Sequence, residues 1–440
     1  MSKANARALQ ARSSRNAGTW GLRSGRGARP AALAAAIALI ATTPVLALPA
    51  TTAWADGSQC TFESKNYAGR PWALQRVNLD ELWALSTGKN VQVAVIDTGV
   101  DVRNPQLTKA VDARRGANYL PAKNSKGEKI DRGNSQGTTD TVGHGTRVAG
   151  IIAARPLKGT GFVGLAPDAE IIPIKQNNAE GDGTALTLAS SIRHAVDVGA
   201  DVINISQDTA NAVRPDSRLE GAVDYALDNN VVVVASAGND GLGGNVKVTY
   251  PASYEGVLAV AASDRNNERA SFSQSGEFVG VAAPGVDMIS TVPGGGHCSD
   301  NGTSFSAPYV AGVAALLKSK YPEWTAQQVV AQIEQTAERS IPGHDLLVGW
   351  GVVDPVKALT NVDPEHPVET PKPEGGVARG EAPSVTPLHF GETAEERNTR
   401  LATYAVVGGL VLVAGLSGTA VAVRDSRRRR RRPGREAWTR

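Results

Sequence analysis

The stretch VQVAVIDTGVD, residues 91–101, begins with a run that is apolar on both faces of an extended chain and then reaches a turn glycine. Such a run predicts a strand buried on both sides of a sheet. Two segments with helical spacing, 185–199 and 217–230, alternate with runs of this kind. The similar runs are AEIIPIKQ (169–176), ADVINIS (200–206), VVVVASAG (231–238) and VLAVAASD (257–264). Strands that alternate with helices predict an α/β fold in three layers, with a mostly parallel sheet and helices on both faces.

Polar residues stand directly after three of the predicted strands. Asp97 ends the first run, Asn239 follows the fourth, and Ser206, Gln207 and Asp208 follow the third. Catalytic and binding groups of a parallel sheet collect beyond the carboxyl ends of its strands. We therefore expect these side chains at one functional edge.

Charge is segregated along the 440-residue chain. Residues 1–55 carry seven Lys and Arg and no acidic residue, and residues 424–440 carry nine Arg against two acidic residues. The remaining residues, 56–423, hold 30 basic and 41 acidic side chains. An acidic body argues against nucleic-acid binding, which requires a basic face.

The N-terminus is typical of a secretory signal peptide. A basic region runs to Arg29, an apolar run begins at Ala31, and Ala53-Trp54-Ala55 offers small residues at the two positions that a signal peptidase reads. We place cleavage after Ala55. The alternative is an uncleaved membrane anchor.

A second membrane segment is predicted near the C-terminus. Residues 401–423 are uncharged, which at about 1.5 Å per residue is enough to span a hydrocarbon core of about 30 Å. The Arg-rich tail that follows at 424–440 predicts a cytoplasmic C-terminus and places residues 56–400 outside the cell membrane. Residues 362–400, rich in Pro, Glu and Gly, are predicted to link the globular part to this helix.

Ser304, in NGTSFSAPYVAG (301–312), stands at the start of a predicted apolar helix and could be a helix cap or a nucleophile. A nucleophilic serine needs a base and a group that orients that base. His144, flanked by glycines at the start of another apolar run, and Asp97 are the candidates for base and carboxylate. Asn239 is the candidate oxyanion donor, together with the backbone N–H of Ser304.

Four blocks in this order resemble those of the subtilisin-like serine peptidases, over roughly residues 71–360. They are VAVIDTGVD (93–101), GHGTRVAGIIAA (143–154), SAGND (236–240) and NGTSFSAPYVAGVAALL (301–317). The resemblance implies serine endopeptidase activity, with Asp97, His144 and Ser304 as the catalytic triad and Asn239 as the oxyanion donor. Ser304 is not in a G-x-S-x-G elbow, which disfavours a lipase-type α/β-hydrolase.

The chain is most similar to the mycosins, the membrane-anchored subtilisin-like proteases of type VII secretion systems. The likeness rests on residues 71–101 and 161–176, together with the signal peptide, linker, C-terminal helix and basic tail. It implies that the partners are a protein or peptide substrate, components of the type VII secretion membrane complex, and the membrane itself through one transmembrane helix.

The sequence departs from the broader subtilisin pattern at the predicted substrate-binding residues. Ser206, Gln207 and Asp208 replace the Ser-Leu-Gly that is common where the substrate backbone pairs with the enzyme. A preference for large apolar substrate residues is therefore in doubt. Residues 156–164 lack the carboxylates and amides that calcium favours, and we expect no metal and no cofactor.

Cys60 and Cys298 are the two cysteines of the chain. An even pair in an oxidising compartment predicts a disulfide, the alternative being two unpaired thiols. Only about 35 residues separate Ala55 from the first strand, too few for an independently folded pro-domain. By resemblance, this extension wraps the catalytic domain, and the disulfide would fix it close to Ser304. His297, also near Ser304, is expected in a solvated loop.

The predicted domains are the signal peptide (1–55), N-terminal extension (56–88), catalytic domain (89–361), linker (362–400), transmembrane helix (401–423) and cytoplasmic tail (424–440). Two alternatives to a membrane-anchored endopeptidase of the secretion system remain open. One is a structural component whose proteolysis is dispensable, and the other is a protease shed by cleavage in the linker.

Overall fold

The structure is a computed structural model that describes residues 60–124, 126–179, 181–207, 217–242, 248–374 and 394–430. The predicted signal peptide and its cleavage site, Asp208, part of the linker and the end of the tail lie outside these ranges.

A seven-stranded sheet forms the centre of the described structure, and all six neighbouring strand pairs are parallel. Its strands, in the order β2-β3-β1-β4-β5-β6-β7, are numbered along the chain. They are β1 (Gln92–Asp97), β2 (Ala117–Asn118), β3 (Glu170–Lys175), β4 (Val202–Ile205), β5 (Val232–Ser236), β6 (Leu258–Ser263) and β7 (Val279–Pro284). A separate antiparallel hairpin comprises β8 (Met288–Thr291) and β9 (His297–Asp300). The five predicted strands and the mostly parallel sheet are confirmed.

Helices cover both faces of the sheet. The helices of the described residues are α1 (Trp72–Gln75), α2 (Leu79–Leu85), α3 (His144–Ala153), α4 (Ala185–Asp197), α5 (Ser217–Asp228), α6 (Thr303–Lys320), α7 (Ala326–Thr336), α8 (Pro355–Thr360) and α9 (Ala394–Arg430), of which α9 does not cover the sheet. Val93 and Val95 of β1 pack in one apolar core with α3 and α6, whereas Ala94 and Ile96 pack in another with α4 and α5. Alternate residues of a strand point to opposite faces, which explains why the strand runs are apolar throughout.

Helix α6 crosses the first of these cores and is buried from Thr303 to Lys318. A helix that is apolar on all sides is stable only when it is buried on all sides. The residues at its amino end are therefore held rigidly at the carboxyl edge of the sheet.

The N-terminal extension is attached to the domain at both ends. Leu79 and Leu82 of α2 are fully buried in the core, and Trp83 Nε1 donates a hydrogen bond to Leu165 O at 3.0 Å. At the other end, Cys60 and Cys298 form the predicted disulfide, with their Cα atoms 5.8 Å apart. Residues 60–88 therefore lie on the catalytic domain, as the family resemblance implied.

Helix α9 has 37 residues, a length of about 55 Å, and is exposed along its described length. Its most apolar window has a mean hydropathy of 2.2, so by length and composition it could cross a membrane. No other helix within the described residues meets this criterion. The helix begins seven residues before the predicted span, at Ala394.

Candidate active site

A cleft of about 340 Å³ lies at the carboxyl edge of the sheet, beyond the ends of β1, β4 and β5. It contains Asp97, His144, Asn239 and Ser304, which come from four separate segments of the chain. Its lining consists of Asp97, Thr98, Val142, His144, Asn177, Asn178, Ala179, Gln207, Asn239, Asp300, Asn301, Ser304 and Phe305. The fold therefore brings these four candidate residues to one place.

Asp97 and His144 are joined by hydrogen bonds. Asp97 is the last residue of β1 and is 1% exposed, and its Oδ1 also accepts a hydrogen bond from Thr98 N at 2.7 Å. His144 Nδ1 lies 2.8 Å from Asp97 Oδ1 and 3.0 Å from Oδ2. Because an ionised carboxylate only accepts hydrogen bonds, we assign the imidazole proton to Nδ1, which leaves Nε2 as the basic nitrogen.

The environment of His144 favours its protonated form. Burial lowers the pKa of His144, but the charge and hydrogen bond of Asp97 outweigh it and hold this pKa above its ordinary value. Arg147, one turn along α3, opposes that rise. An imidazole supported in this way is suited to accept a proton from a neighbouring hydroxyl group.

The glycines on each side of His144 have separate roles. Gly143 is the residue before α3 and has a left-handed backbone, with φ of 82°. At Gly145, a Cβ atom would overlap the carbonyl oxygen of Gly99 and lie 3.0 Å from the Cβ of Asp97. The missing side chain therefore lets α3 approach the end of β1 closely enough for the Asp97–His144 hydrogen bond.

Ser304 is the second residue of α6 and is not its cap. The N-cap is Gly302, with φ of 153° and no side-chain capping bond. The Ser304 side chain lines the cleft, and its backbone N–H belongs to the first turn, whose N–H groups have no partner within the helix. No hydrogen bond joins Ser304 to His144 among the described residues, and such contacts are often longer before substrate binds.

Asn239 is held by the residue before Ser304. Its Oδ1 accepts hydrogen bonds from Thr303 N at 2.9 Å and from Thr303 Oγ1 at 3.1 Å. These contacts fix the plane of the side-chain amide beside the start of α6. The donor atom of the amide is Nδ2, and Asn239 lines the cleft.

The three predicted substrate-binding residues differ in their placement. Gln207 lines the cleft, and its Nε2 donates to Ile96 O at 3.4 Å. Ser206 is fully buried and accepts a hydrogen bond from Asn204 Nδ2 at 2.8 Å, so its side chain is not part of the cleft. Asp208 lies outside the described residues.

Three charged residues beside the cleft were not predicted from the sequence. Asp140 is buried four residues before His144, and Arg147 forms an ion pair with Asp300 at the rim. The Arg147 guanidinium also lies 5.5 Å from the centroid of the Phe305 ring. The ring centroids of Phe305 and His144 are 5.3 Å apart. These contacts connect the start of α3 to β9 and to the start of α6.

The expectation for His297 was wrong. It is 5% exposed, its Nε2 lies 2.6 Å from Gln106 Oε1, and its Nδ1 accepts a hydrogen bond from Tyr67 N at 3.1 Å. Burial lowers its pKa to about 4. His297 is therefore a core residue that joins the N-terminal extension to β9.

Comparison with known proteins gives consistent matches. Residues 88–351 match the model of the subtilase family. The chain is 39% identical over 285 residues to Subtilisin Savinase from Lederbergia lenta. The aligned region covers 64% of this chain and 96% of that protein.

Solved structures of two proteins of the MycP group are also similar. MycP3 protease from the type VII (ESX-3) secretion system is 35% identical, with a TM-score of 0.58 over 68% of this chain and 91% of that one. MycP1 from Mycobacterium smegmatis is 33% identical, with a TM-score of 0.57 over 73% and 92% of the two chains.

Proposed function

The chain belongs to the subtilase family of serine endopeptidases, and from that premise we propose that it hydrolyses peptide bonds with Asp97, His144 and Ser304 as the catalytic triad. The observation that carries the proposal is the Asp97–His144 hydrogen bond in the same cleft as Ser304, at the start of a helix that is buried from Thr303 to Lys318. This arrangement supplies a nucleophile, a base and a group that orients the base.

In the proposed reaction, Ser304 Oγ attacks the scissile carbonyl carbon while His144 Nε2 removes the hydroxyl proton. The tetrahedral intermediate collapses when the imidazolium gives that proton to the leaving amine. Water then attacks the acyl-enzyme by the same route and releases the second product with Ser304 restored. Asp97 keeps the imidazole in the required tautomer and stabilises its positive form.

Asn239 and the backbone N–H of Ser304 are the proposed oxyanion donors. The hydrogen bonds from Thr303 hold the Asn239 amide in place before substrate arrives. Donors that are already oriented stabilise the developing charge without reorganisation during the reaction.

Peptide substrates would add along residues 206–208, after β4, by backbone hydrogen bonding. Gln207, Asn177, Asn178 and Asn301 line the cleft nearby and are polar. We propose that the enzyme accepts polar side chains there, where many subtilisins accept large apolar ones.

The proposed setting is the outer face of a cell membrane. Helix α9 would anchor the chain once, with a cytoplasmic tail and an extracytoplasmic catalytic domain, after removal of residues 1–55. The MycP relatives support a place in a type VII secretion system, where the enzyme would process secreted proteins. N-terminal sequencing of the mature protein tests the cleavage site, and proteolysis of intact cells tests the orientation.

Labelling with a fluorophosphonate probe tests the chemistry without knowledge of the substrate. Full-length protein in detergent should label, whereas Ser304→Ala and His144→Ala should not. Ser306→Ala is the matched control, because Ser306 lies in the same helix, is fully buried and should not affect labelling. Circular dichroism establishes that each variant is folded. An unlabelled, folded wild type would contradict the proposal.

A structural role in the secretion complex is the second candidate. It is favoured by one observation, that a MycP1 relative is described as an essential component of the type VII (ESX-1) secretion system. Secretion in cells that carry only Ser304→Ala separates the two roles. Normal secretion by that variant, with failure on deletion of the gene, would support the structural role.

A further inference from the structure

A second buried carboxylate, that of Asp140, lies between the end of β1 and the start of α3. It is 4% exposed and accepts hydrogen bonds on both of its oxygens. The donors are Thr98 Oγ1 (3.0 Å), Val142 N (3.1 Å), Gly143 N (2.8 Å), Thr146 N (2.9 Å) and Thr146 Oγ1 (2.6 Å).

These contacts join the neighbours of Asp97 to the neighbours of His144. Thr98 directly follows Asp97, and its hydroxyl group donates to Asp140 while it accepts from Gly145 N at 3.0 Å. Gly143 and Gly145 are the residues on each side of His144. The carboxylate of Asp140 therefore lies between the segment that carries Asp97 and the segment that carries His144.

The hydrogen-bond directions fit an ionised Asp140. Thr98 Oγ1 accepts from Gly145 N, and Thr146 Oγ1 accepts from Asp101 N at 3.0 Å, so both hydroxyl hydrogens are available to Asp140. Five donors then point at a group that has only acceptors when it is charged. Burial and the charge of Asp97 raise the pKa of Asp140 above its ordinary value, and the hydrogen bonds from Thr146 and Gly143 offset only part of that rise.

We propose that Asp140 is a positioning residue for the peptidase reaction, which fixes His144 against Asp97 and stabilises the protonated imidazole with its negative charge. The proposal rests on the triad assigned above. The charged groups that act on His144 are Asp97, Asp140 and Arg147, and Arg147 opposes the two carboxylates. Lys175 is a buried cation that donates a hydrogen bond to Thr98 O at 2.8 Å.

The test is the rate constant for fluorophosphonate labelling of full-length protein in detergent, measured from about pH 5 to about pH 9. Labelling needs neutral His144, so the rate falls as the pH drops through the pKa of His144. Asp140→Asn removes a charge that raises this pKa. The acid limb, meaning the pH range in which the labelling rate falls as the pH drops, should therefore move to lower pH by up to about one unit in Asp140→Asn. The maximal labelling rate of this variant should fall by about tenfold or more.

Two further variants separate position from charge. Thr98→Val removes the hydroxyl bridge but keeps the carboxylate, so labelling should slow while the acid limb stays in place. Asp201→Asn is the control, because Asp201 is partly buried and accepts a hydrogen bond from Gln92 N at 2.8 Å, at the opposite end of β1. That variant should keep both the rate and the limb of the wild type.

A folded Asp140→Asn protein with the wild-type rate and acid limb would overturn the proposal. The same limb shift in Asp201→Asn would also overturn it, because the effect would then be general. If Asp140→Asn does not fold, a wild-type rate for Thr98→Val overturns the positioning role. An unlabelled wild type would refute the triad itself, whereas a labelled wild type with an unaffected Asp140→Asn refutes only the role of Asp140.

Discussion

Replacement of Asp97 by Asn tests the proposed catalytic arrangement most quantitatively. The substitution keeps the size of the side chain but removes its charge. It also places an N–H donor or a weaker acceptor opposite His144 Nδ1, which now lies 2.8 Å from a carboxylate oxygen. Thr98 N, which donates to the same oxygen, restricts how the new amide can rotate.

The expected loss follows from the lost charge. His144 becomes positive during the reaction, and its centre of charge would lie about 4 Å from that of Asp97. At an effective dielectric constant of about 20, that pair is worth about 4 kcal/mol, or a factor of about 10³ in rate. A shift of the imidazole proton to Nε2 would remove the base and slow the reaction further.

We therefore expect Asp97→Asn to slow fluorophosphonate labelling by about 10³-fold or more near pH 8, with the fold retained. Asp201→Asn is the control, because Asp201 accepts a hydrogen bond from Gln92 N at the opposite end of β1. It should label at the wild-type rate. A folded Asp97→Asn protein that labels within about tenfold of wild type would refute the reasoning.

Three other changes have defined outcomes. Asn239→Ala should lower turnover of a peptide substrate by about 10²–10³ with little change in KM, and an unchanged turnover would remove Asn239 from the oxyanion site. Cys60→Ser should lower the free energy of unfolding by up to about 5 kcal/mol, because the bond to Cys298 closes a separation of 238 residues. Equal denaturation midpoints with and without reductant would contradict that stabilisation. The unfolded chain protonates His297 near its ordinary pKa of 6.5 but the folded chain only near 4, so stability should fall by about 3 kcal/mol as the pH drops through that window. His297→Gln should lose this contribution, and an identical pH dependence in the variant would contradict it.

Strands that are apolar on both faces could be predicted from the sequence, and others could not. The run at 91–97 supplies residues to both cores and corresponds to β1. By contrast, β2 has only two residues, which pair with β3 rather than form a pattern of their own. Strand β7, with the sequence VGVAAP, contains Gly and Pro, which weaken a strand prediction.

The candidate triad positions were recognisable because each lies in a block with turn glycines and an adjoining apolar run. Asp140 lacks such a pattern, since an aspartate in the segment TTDTVG is ordinary for a turn. Its environment depends on Thr98, which the end of β1 brings from 42 residues away in sequence. A local pattern contains no information on that contact.

The placement of Ser206 and His297 illustrates two further limits. Successive side chains of an extended chain point to opposite sides, so only one of Ser206 and Gln207 could face the cleft. The sequence alone did not decide which one. His297 follows three glycines and so resembles a solvated loop residue, but Gln106 and Tyr67, from distant segments, bury it.

The most direct test of the central claim is a crystal structure of the full-length protein after reaction with a fluorophosphonate. The account predicts a covalent bond from Ser304 Oγ to phosphorus, with a phosphoryl oxygen about 3 Å from both Asn239 Nδ2 and Ser304 N. His144 would keep its hydrogen bond to Asp97. An adduct on another residue, or a phosphoryl oxygen directed away from Asn239, would contradict the account.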